Sequence, residues 1–196
     1  MSSAMTHERK IIASVATSAD GFIGRSDGSV DWLDRPVPKG NYGLDAFYKS
    51  IDTVLWGRKT CDMALRFQAE GIPGSAFDTN VKNYVFTHTS PPNPVPKGVE
   101  FVDEPVKPFA DRLRAAEGKD IWIMGGAALI ASFLDEGEVD EFILSVVPVL
   151  IGEGIPLLAP RHRTVSLKLI ASTKFADGLV KLHYAVPSER TSRQAG

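Results

Sequence analysis

Residues 121–134 have the sequence IWIMGGAALIASFL, in which a short apolar run meets two glycines and then a segment with helical spacing. The run predicts a buried strand at 121–124, and the apolar side chains that follow share one face of a predicted helix at 127–134. Two glycines let a ligand approach the backbone closely, and the free N–H groups of a helix start suit a pyrophosphate. Taken alone, the junction is explained equally well as a plain tight turn.

Two further strand ends carry polar groups. Residues 54–60, VLWGRKT, lead from an apolar strand through a glycine into a helix whose first turn holds Arg58, Lys59 and Thr60. Cations are unfavourable at the N-terminus of a helix, so their presence there favours an anionic partner such as a phosphate ester. The alternative is a solvated basic turn. Residues 85–89, VFTHT, place His88 after another strand, where α/β sheets bind ligands, although a solvated loop histidine is the simpler interpretation.

The pattern along the chain predicts a three-layer α/β/α domain with a central mixed sheet of about eight strands and a C-terminal antiparallel hairpin. Apolar runs predict strands at 11–17, 53–56, 83–87, 99–102, 121–124, 141–150, 166–173 and 179–186. Helical spacing predicts helices at 44–51, 58–67, 106–117 and 127–134. We expect one domain over residues 9–187, with disordered polar tails at 1–8 and 188–196.

Composition narrows the classes of function. The chain has 196 residues and a formal net charge of -2, which lacks the basic footprint of a nucleic-acid-binding protein. No apolar stretch approaches the roughly 20 residues that span a bilayer, and the single cysteine, Cys61, fits a reducing compartment, so we expect a cytoplasmic protein. The four histidines have no metal-ligand spacing, and no metal site is predicted.

The sequence gives fewer indications of which residues bind or protonate a substrate. A turn-rich stretch at 18–43 precedes the first helix, and a loop of that length is usually functional. Candidate proton donors are Asp20, Asp31 and Asp45, with Trp32 and Phe47 as candidate substrate-binding residues. Each carboxylate has a structural alternative: Asp20 precedes Gly21 as a turn former, Asp31 suits a solvated loop, and Asp45 complements a helix dipole. The sequence does not choose among the three.

Four motifs in order carry a resemblance to a known family: residues 16–24 (ATSADGFIG), 56–60 (WGRKT), 121–134, and 139–157, which begins VDE and ends PVLIGEGIPL. Together they resemble the dihydrofolate reductase superfamily, in its bacterial branch related to the riboflavin-biosynthesis (RibD C-terminal-like) reductase domain. The resemblance covers about residues 9–187. It implies a small reductase that binds NADPH and transfers a hydride directly to its substrate.

The resemblance also implies which residues would hold NADPH. Gly57, Arg58, Lys59 and Thr60 would hold the adenosine phosphates, and Thr87 and His88 would flank the ribose phosphate. The pyrophosphate and nicotinamide side would be met by Gly125, Gly126, Ala127, Ala128 and Leu129. The nicotinamide pocket would be lined by Ala16, Ile23 and Gly24.

The sequence departs from the family pattern at two places. Dihydrofolate reductases carry an acid about four residues before a phenylalanine of the first helix, whereas Gly43 holds that position before Phe47 and Asp45 lies about half a turn away. Riboflavin-pathway reductases usually offer polar side chains to a ribose phosphate after the glycine pair, where this chain has Ala127 and Ala128. We therefore expect reduction of a small, heteroaromatic, pterin- or pyrimidine-like molecule. The alternatives are a stand-alone 5-amino-6-(5-phosphoribosylamino)uracil reductase and a non-catalytic NADPH-binding sensor or scaffold.

The late strands predict a homodimer. Residues 141–150 and the hairpin at 166–186 carry apolar residues on both faces, which indicates burial beyond a single subunit.

Overall fold

A mixed eight-stranded sheet organises the chain. The computed structural model describes residues 8–72, 77–161 and 163–187. Its strands are β1 (Ile11–Ser18), β2 (Phe22–Gly24), β3 (Ile51–Gly57), β4 (Lys82–Phe86), β5 (Val99–Val102), β6 (Asp120–Gly125), β7 (Glu141–Val147), β8 (Ile155–Pro156), β9 (Lys168–Lys174) and β10 (Val180–Ala185). Its α-helices are α1 (Leu44–Ser50), α2 (Arg58–Ala69), α3 (Val106–Ala115) and α4 (Ala127–Asp135).

The strand order is β5-β4-β3-β6-β1-β7-β10-β9, and β2 and β8 form a separate two-stranded ribbon. All pairs from β5 to β7 are parallel, whereas β10 runs antiparallel to both β7 and β9. The carboxyl ends of β1, β3, β4, β6 and β7 therefore meet at one edge, which is where such sheets place their ligands.

Alternation along β6 explains the three layers. Ile121 and Ile123 are fully buried on one face, in a core that also includes Phe109 of α3 and Phe133 of α4. Trp122 points to the other face and packs with residues of α1 and α2. Because successive side chains of a strand point to opposite faces, both faces of the central strands are covered by helices.

Buried Arg9 connects several segments at the amino ends of the parallel strands, opposite the carboxyl edge. The Arg9 guanidinium donates hydrogen bonds to the carbonyl oxygens of Lys119 (2.6 Å) and Leu113 (3.0 Å), to Thr53 Oγ1 (2.8 Å) and to the Asp52 carboxylate. Since a buried charge is stable only when it is paired and hydrogen-bonded, this cluster has a structural explanation.

The predicted fold class is confirmed, with differences in detail. The strand predicted at 141–150 is wrong beyond Val147, because Pro148 has no N–H to donate and the chain turns there, with the Val149 N–H donating to the Val147 carbonyl (2.8 Å). The ribbon of β2 and β8 was not predicted. The predicted tails at 1–8 and 188–196 lie outside the described residues, except for Glu8. No helix in the described part of the chain is long and apolar enough to cross a membrane.

Candidate functional site

Two glycine turns meet at the carboxyl edge of the sheet. β3 and β6 are neighbours, with Trp56 opposite Gly125, and each strand leads directly into a helix. A Cβ added at Gly57 would lie 3.2 Å from the Gly126 nitrogen, and one added at Gly126 would lie 3.0 Å from Thr60 Oγ1. The backbone of Gly57 therefore lies close against that of Gly126, and Gly126 lies close against the Thr60 side chain, so a larger residue at either glycine would be crowded.

The helices that follow both begin without a side-chain cap. Gly57 and Gly126 are the N-cap residues of α2 and α4, and neither helix has a side-chain hydrogen bond at its cap. The first-turn N–H groups of a helix need partners, and the positive end of the helix dipole favours an anion. Two such helix starts side by side form a candidate site for a pyrophosphate.

A cleft of about 420 Å³ opens beside these helix starts. It brings together five residues that the sequence assigned to a cofactor, namely Ile23, Gly24, Lys59, Thr60 and Gly126. It also includes residues that sequence reasoning missed: Ser26, Asp27, Gly28 and Val30 of the loop after β2, Asp62, Met63 and Arg66 of α2, and Ile155 of β8. Met63 and Arg66 follow Lys59 at spacings of four and seven, so the helical period was the signal that marks them.

Arg58 fastens the loop after β4 to α2. Its Nη1 donates to Thr89 Oγ1 (3.1 Å) and to the Ser90 carbonyl (2.8 Å), while its Nε donates to the Asp62 carboxylate (2.8 Å). His88 projects from the same loop with its side chain 92% exposed, and its Nδ1 lies 2.6 Å from Asp103 Oδ1. The structure thus places Thr87 and His88 beside the Arg58 end of the site, outside the cleft itself.

The residues after the glycine pair have no polar side chain to offer a ligand. Ala127 and Leu129 are buried, and Leu129 belongs to the main core. Ala128 is exposed and carries no polar atom on its side chain. Any polar contact from this turn to a ligand therefore comes from N–H groups.

None of the three candidate acids lies in the cleft. The Asp20 carboxylate accepts hydrogen bonds from the backbone N–H groups of Gly152 (2.7 Å) and Ile151 (3.1 Å). Hydrogen bonds from the Ser18 side chain and from the Gly152 N–H lower the pKa of Asp20. Asp31 pairs with Arg25 at 2.6 Å, which lowers the pKa of Asp31, and Asp45 is exposed and accepts from Asn41 Nδ2 (3.1 Å).

Asp27 and Asp62 are the two carboxylates among the described residues that line the cleft, and Asp27 lies in the loop after β2. It accepts the Ser29 N–H at 2.8 Å, and hydrogen bonds from Ser29 lower the pKa of Asp27. It is thus held as an anion in the loop opposite Lys59 and Arg66. Sequence reasoning passed over it because a lone Asp in a glycine-rich loop carries no pattern of its own.

The two candidate substrate-binding residues lie in different clusters. Trp32 is buried beneath the 18–43 loop with Val147 and Leu179, next to Ala16. Phe47 packs edge-on against Trp122 of the sheet, with ring centroids 5.4 Å apart. The Trp32 ring is therefore not exposed for stacking against a substrate.

Neither the cysteine nor a metal centre adds a reactive group in the described part of the chain. Burial raises the pKa of the Cys61 thiol to about 11, which leaves it protonated and unreactive at neutral pH. Among the described residues, no group of three His, Cys, Asp or Glu side chains is placed to hold a metal ion.

Comparison with known proteins identifies the family. The family model of the RibD C-terminal domain matches residues 9–181. This chain belongs to the RibD C-terminal domain family. It is 38% identical over 178 residues to the uncharacterized protein YwjB of Bacillus subtilis strain 168, covering 90% of this chain and 98% of YwjB. It is 34% identical over 183 residues to YyaP of the same organism, covering 90% and 95%.

Solved structures agree with this RibD C-terminal assignment. A protein from Shewanella sp. PV-4 that is named for riboflavin biosynthesis superposes with a TM-score of 0.77 at 27% identity, covering 91% of this chain and 99% of that one. A dihydrofolate reductase from Enterococcus faecalis, solved with NADP(H), has a TM-score of 0.63 at 16% identity over 92% and 98% of the two chains, and so shares the fold. The suspected superfamily and branch are confirmed.

The role of Asp20 gives a prediction about acid stability. The pKa of Asp20 is lowered from 3.8 in the folded state, so its contribution to stability is complete above 3.8 and is lost as the pH falls through the folded-state pKa. Replacing Asp20 with Asn should lower the melting temperature at neutral pH, because an amide oxygen accepts the two backbone N–H groups more weakly than a carboxylate.

Thermal unfolding measured from neutral to acid pH tests this. The difference between wild type and Asp20→Asn should shrink as the pH falls below 3.8. Asp45→Asn is the control, since Asp45 is also an exposed carboxylate that accepts a hydrogen bond from the Asn41 side chain and should matter little at neutral pH. Equal melting temperatures for wild type and Asp20→Asn at neutral pH would remove the structural role of Asp20.

Proposed function

We propose that this chain is an NADPH-dependent oxidoreductase that transfers a hydride to a small heteroaromatic substrate, pterin-like or pyrimidine-like. The observation that carries the proposal is the cleft beside two uncapped helix starts, with Lys59 and Arg66 on its wall. Backbone N–H groups and fixed cations are the groups that bind a dinucleotide phosphate. A reductase of this kind also suits the cytoplasm, the reducing compartment expected from the single cysteine.

The residues around the cleft fit NADPH, which supplies the hydride when bound. The N–H groups that follow Gly57 and Gly126 hold the pyrophosphate, and the close glycine packing keeps side chains out of its path. Arg58 and Lys59 supply positive charge, and they and His88 supply hydrogen-bond donors, for the additional phosphate that distinguishes NADPH from NADH. Ala16, Ile23 and Gly24 line the nicotinamide end. The task of the protein is to orient the ring toward the substrate and to exclude water.

Two alternatives each have one observation in their favour. A stand-alone 5-amino-6-(5-phosphoribosylamino)uracil reductase is favoured by the family and by the fold shared with the bifunctional deaminase and uracil reductase of Thermotoga maritima (TM-score 0.65, 16% identity, 92% of this chain and 57% of that one). A non-catalytic NADPH-binding protein is favoured by the position of Asp20, Asp31 and Asp45 outside the cleft.

Turnover separates these three functions. NADPH oxidation is followed with a series of oxidised pterins and pyrimidines, including the uracil intermediate of the riboflavin reductase reaction. Oxidation that requires a pterin or pyrimidine supports the proposal, and oxidation with the uracil intermediate alone supports the riboflavin reductase. NADPH binding without oxidation by any of these compounds contradicts the enzymatic proposal and favours a sensor or scaffold.

A cleft lysine gives a direct prediction for cofactor affinity. Lys59→Met should weaken NADPH binding about tenfold or more, because a charge-assisted hydrogen bond to a phosphate is lost. Lys82→Met is the matched control, since Lys82 is an exposed lysine at the start of β4, away from the cleft. Affinity is measured by quenching of tryptophan fluorescence. Equal affinities for wild type and Lys59→Met would exclude Lys59 from the phosphate site.

We also propose that the protein is a homodimer that buries β9. All seven residues of β9 are exposed, and β9 forms one edge of the sheet. Leu167, Leu169 and Ile170 are 43%, 53% and 52% exposed in this segment. An exposed, apolar edge strand pairs readily with another chain, and a second copy offers a self-complementary partner.

Light scattering tests the dimer. Wild-type protein should have the mass of a dimer, and Leu169→Asp should shift it to a monomer because the charge would be buried at the interface. Val95→Asp is the control, because Val95 is also 52% exposed but lies in the loop between β4 and β5. A monomeric wild type at working concentration contradicts the proposal.

A further inference from the structure

Lys181 lies on the same row of the sheet as the proposed nicotinamide pocket. It pairs with Ser145 of β7, and Ser145 pairs with Ala16 of β1. Residues directly opposite each other on neighbouring strands point to the same face, and each strand adds about 4.8 Å. The backbone of Lys181 is therefore about 10 Å from that of Ala16, on the face of the sheet that also carries α1.

The ammonium group of Lys181 lies at the start of α1. A Cβ added at Gly43 would be 3.4 Å from Lys181 Nζ, and Nζ donates a hydrogen bond to the Tyr42 carbonyl. Gly43 holds the position at which the dihydrofolate reductase pattern has an acid. An acidic side chain at position 43 would therefore approach the Lys181 ammonium. This end of the proposed pocket thus carries a positive charge where the dihydrofolate reductase pattern has a negative one.

This cation has no carboxylate partner among the residues that the structure describes. Lys181 forms no ion pair there, and desolvation by burial lowers the pKa of Lys181. Asp177, in the neighbouring hairpin turn, accepts the Tyr42 hydroxyl at 2.7 Å and lies 3.4 Å from Arg35. Glu141, on the same face of the sheet, is engaged by Lys10 and by His183. A partly buried ammonium without a counter-charge favours an anionic partner.

Two other donors near Lys181 lack acceptors. Trp32 Nε1 and Arg35 Nη1 are buried in the described structure without a hydrogen-bond partner. Trp32 packs in one cluster with Tyr42 and Phe175, and the Lys181 ammonium lies 5.7 Å from the centre of the Phe175 ring. The junction between the 31–43 segment and the β9–β10 hairpin therefore offers more donors than acceptors. An acceptor-rich group is its chemical complement.

We propose that Lys181 is a substrate-binding residue that recognises an anionic group, a carboxylate or a phosphate ester, on the part of the substrate that extends beyond the ring that is reduced. The location of that ring rests on the proposed function, whereas the anion site rests on Lys181 and its neighbours alone. Such a pocket selects substrates that carry an acid beyond the hydride acceptor. It also rejects positively charged rings, which a carboxylate at position 43 would attract.

Lysine resonances test the site directly. Protein labelled with ¹³C at lysine Cε is titrated separately with acetate and with inorganic phosphate, with and without NADP⁺, and Lys181, Lys59 and Lys82 are assigned by their Arg variants. The Lys181 signal should shift and saturate with at least one anion, while the signal of Lys82, an exposed lysine at the start of β4, should not saturate. Saturation with acetate alone identifies a carboxylate, and saturation with phosphate alone identifies a phosphate ester.

The same titration keeps the two proposals apart. Lys59 reports the phosphate site of the cofactor, so an NADP⁺-induced change at Lys59 tests cofactor binding independently of Lys181. Lys181→Arg should retain anion binding, monitored through neighbouring backbone amides, and Lys181→Met should weaken it about tenfold or more. A lysine that only tethers Tyr42 would give no saturable shift. A Lys181 signal that responds no more than that of Lys82 overturns the proposal.

Discussion

The close packing of two glycine turns is the constraint on which the site depends. Gly57 ends β3 and Gly126 follows the end of the neighbouring parallel strand β6, and a Cβ at Gly57 would lie only 3.2 Å from the backbone nitrogen of Gly126. Because no side chain intervenes, α2 and α4 begin side by side and present uncapped N–H groups to the same cleft. The cations of α2 then lie beside these N–H groups, so one backbone constraint produces both the shape and the charge of the proposed cofactor site.

The proposed substrate end of the site depends on a second set of contacts, between the loop at residues 18–43 and the C-terminal hairpin of β9 and β10. Arg35 and Tyr42 both engage Asp177, and Lys181 holds the Tyr42 carbonyl. These contacts press Trp32 onto Val147 and Leu179 and fix the loop beside α1. The β10 strand therefore has two proposed roles: its Lys181 faces the substrate, and its hairpin partner β9 forms the exposed edge available to a second subunit.

Local patterns predicted the sheet and five of the residues that line the cleft, because strand periodicity, glycine pairs and helix starts are all encoded within about ten residues. The ribbon of β2 and β8 escaped prediction because strands of three and two residues carry no periodicity. The partners of Asp20 lie 131 and 132 residues away, so its structural role requires the fold. Lys181 could not be identified from the sequence either, since its place in one row with Ala16 follows from the register of three strands and its proximity to Gly43 from the fold.

Titration of wild-type protein with NADPH and with NADH, followed by tryptophan fluorescence, tests the central claim most directly. Trp56 lies immediately before Gly57 at the end of β3, so its fluorescence reports on the neighbourhood of the cleft. The account predicts saturable NADPH binding with an affinity for NADH that is about tenfold weaker or more, since the additional phosphate meets Arg58, Lys59 and His88. Failure of both nucleotides to bind would contradict the account and leave the fold serving another function.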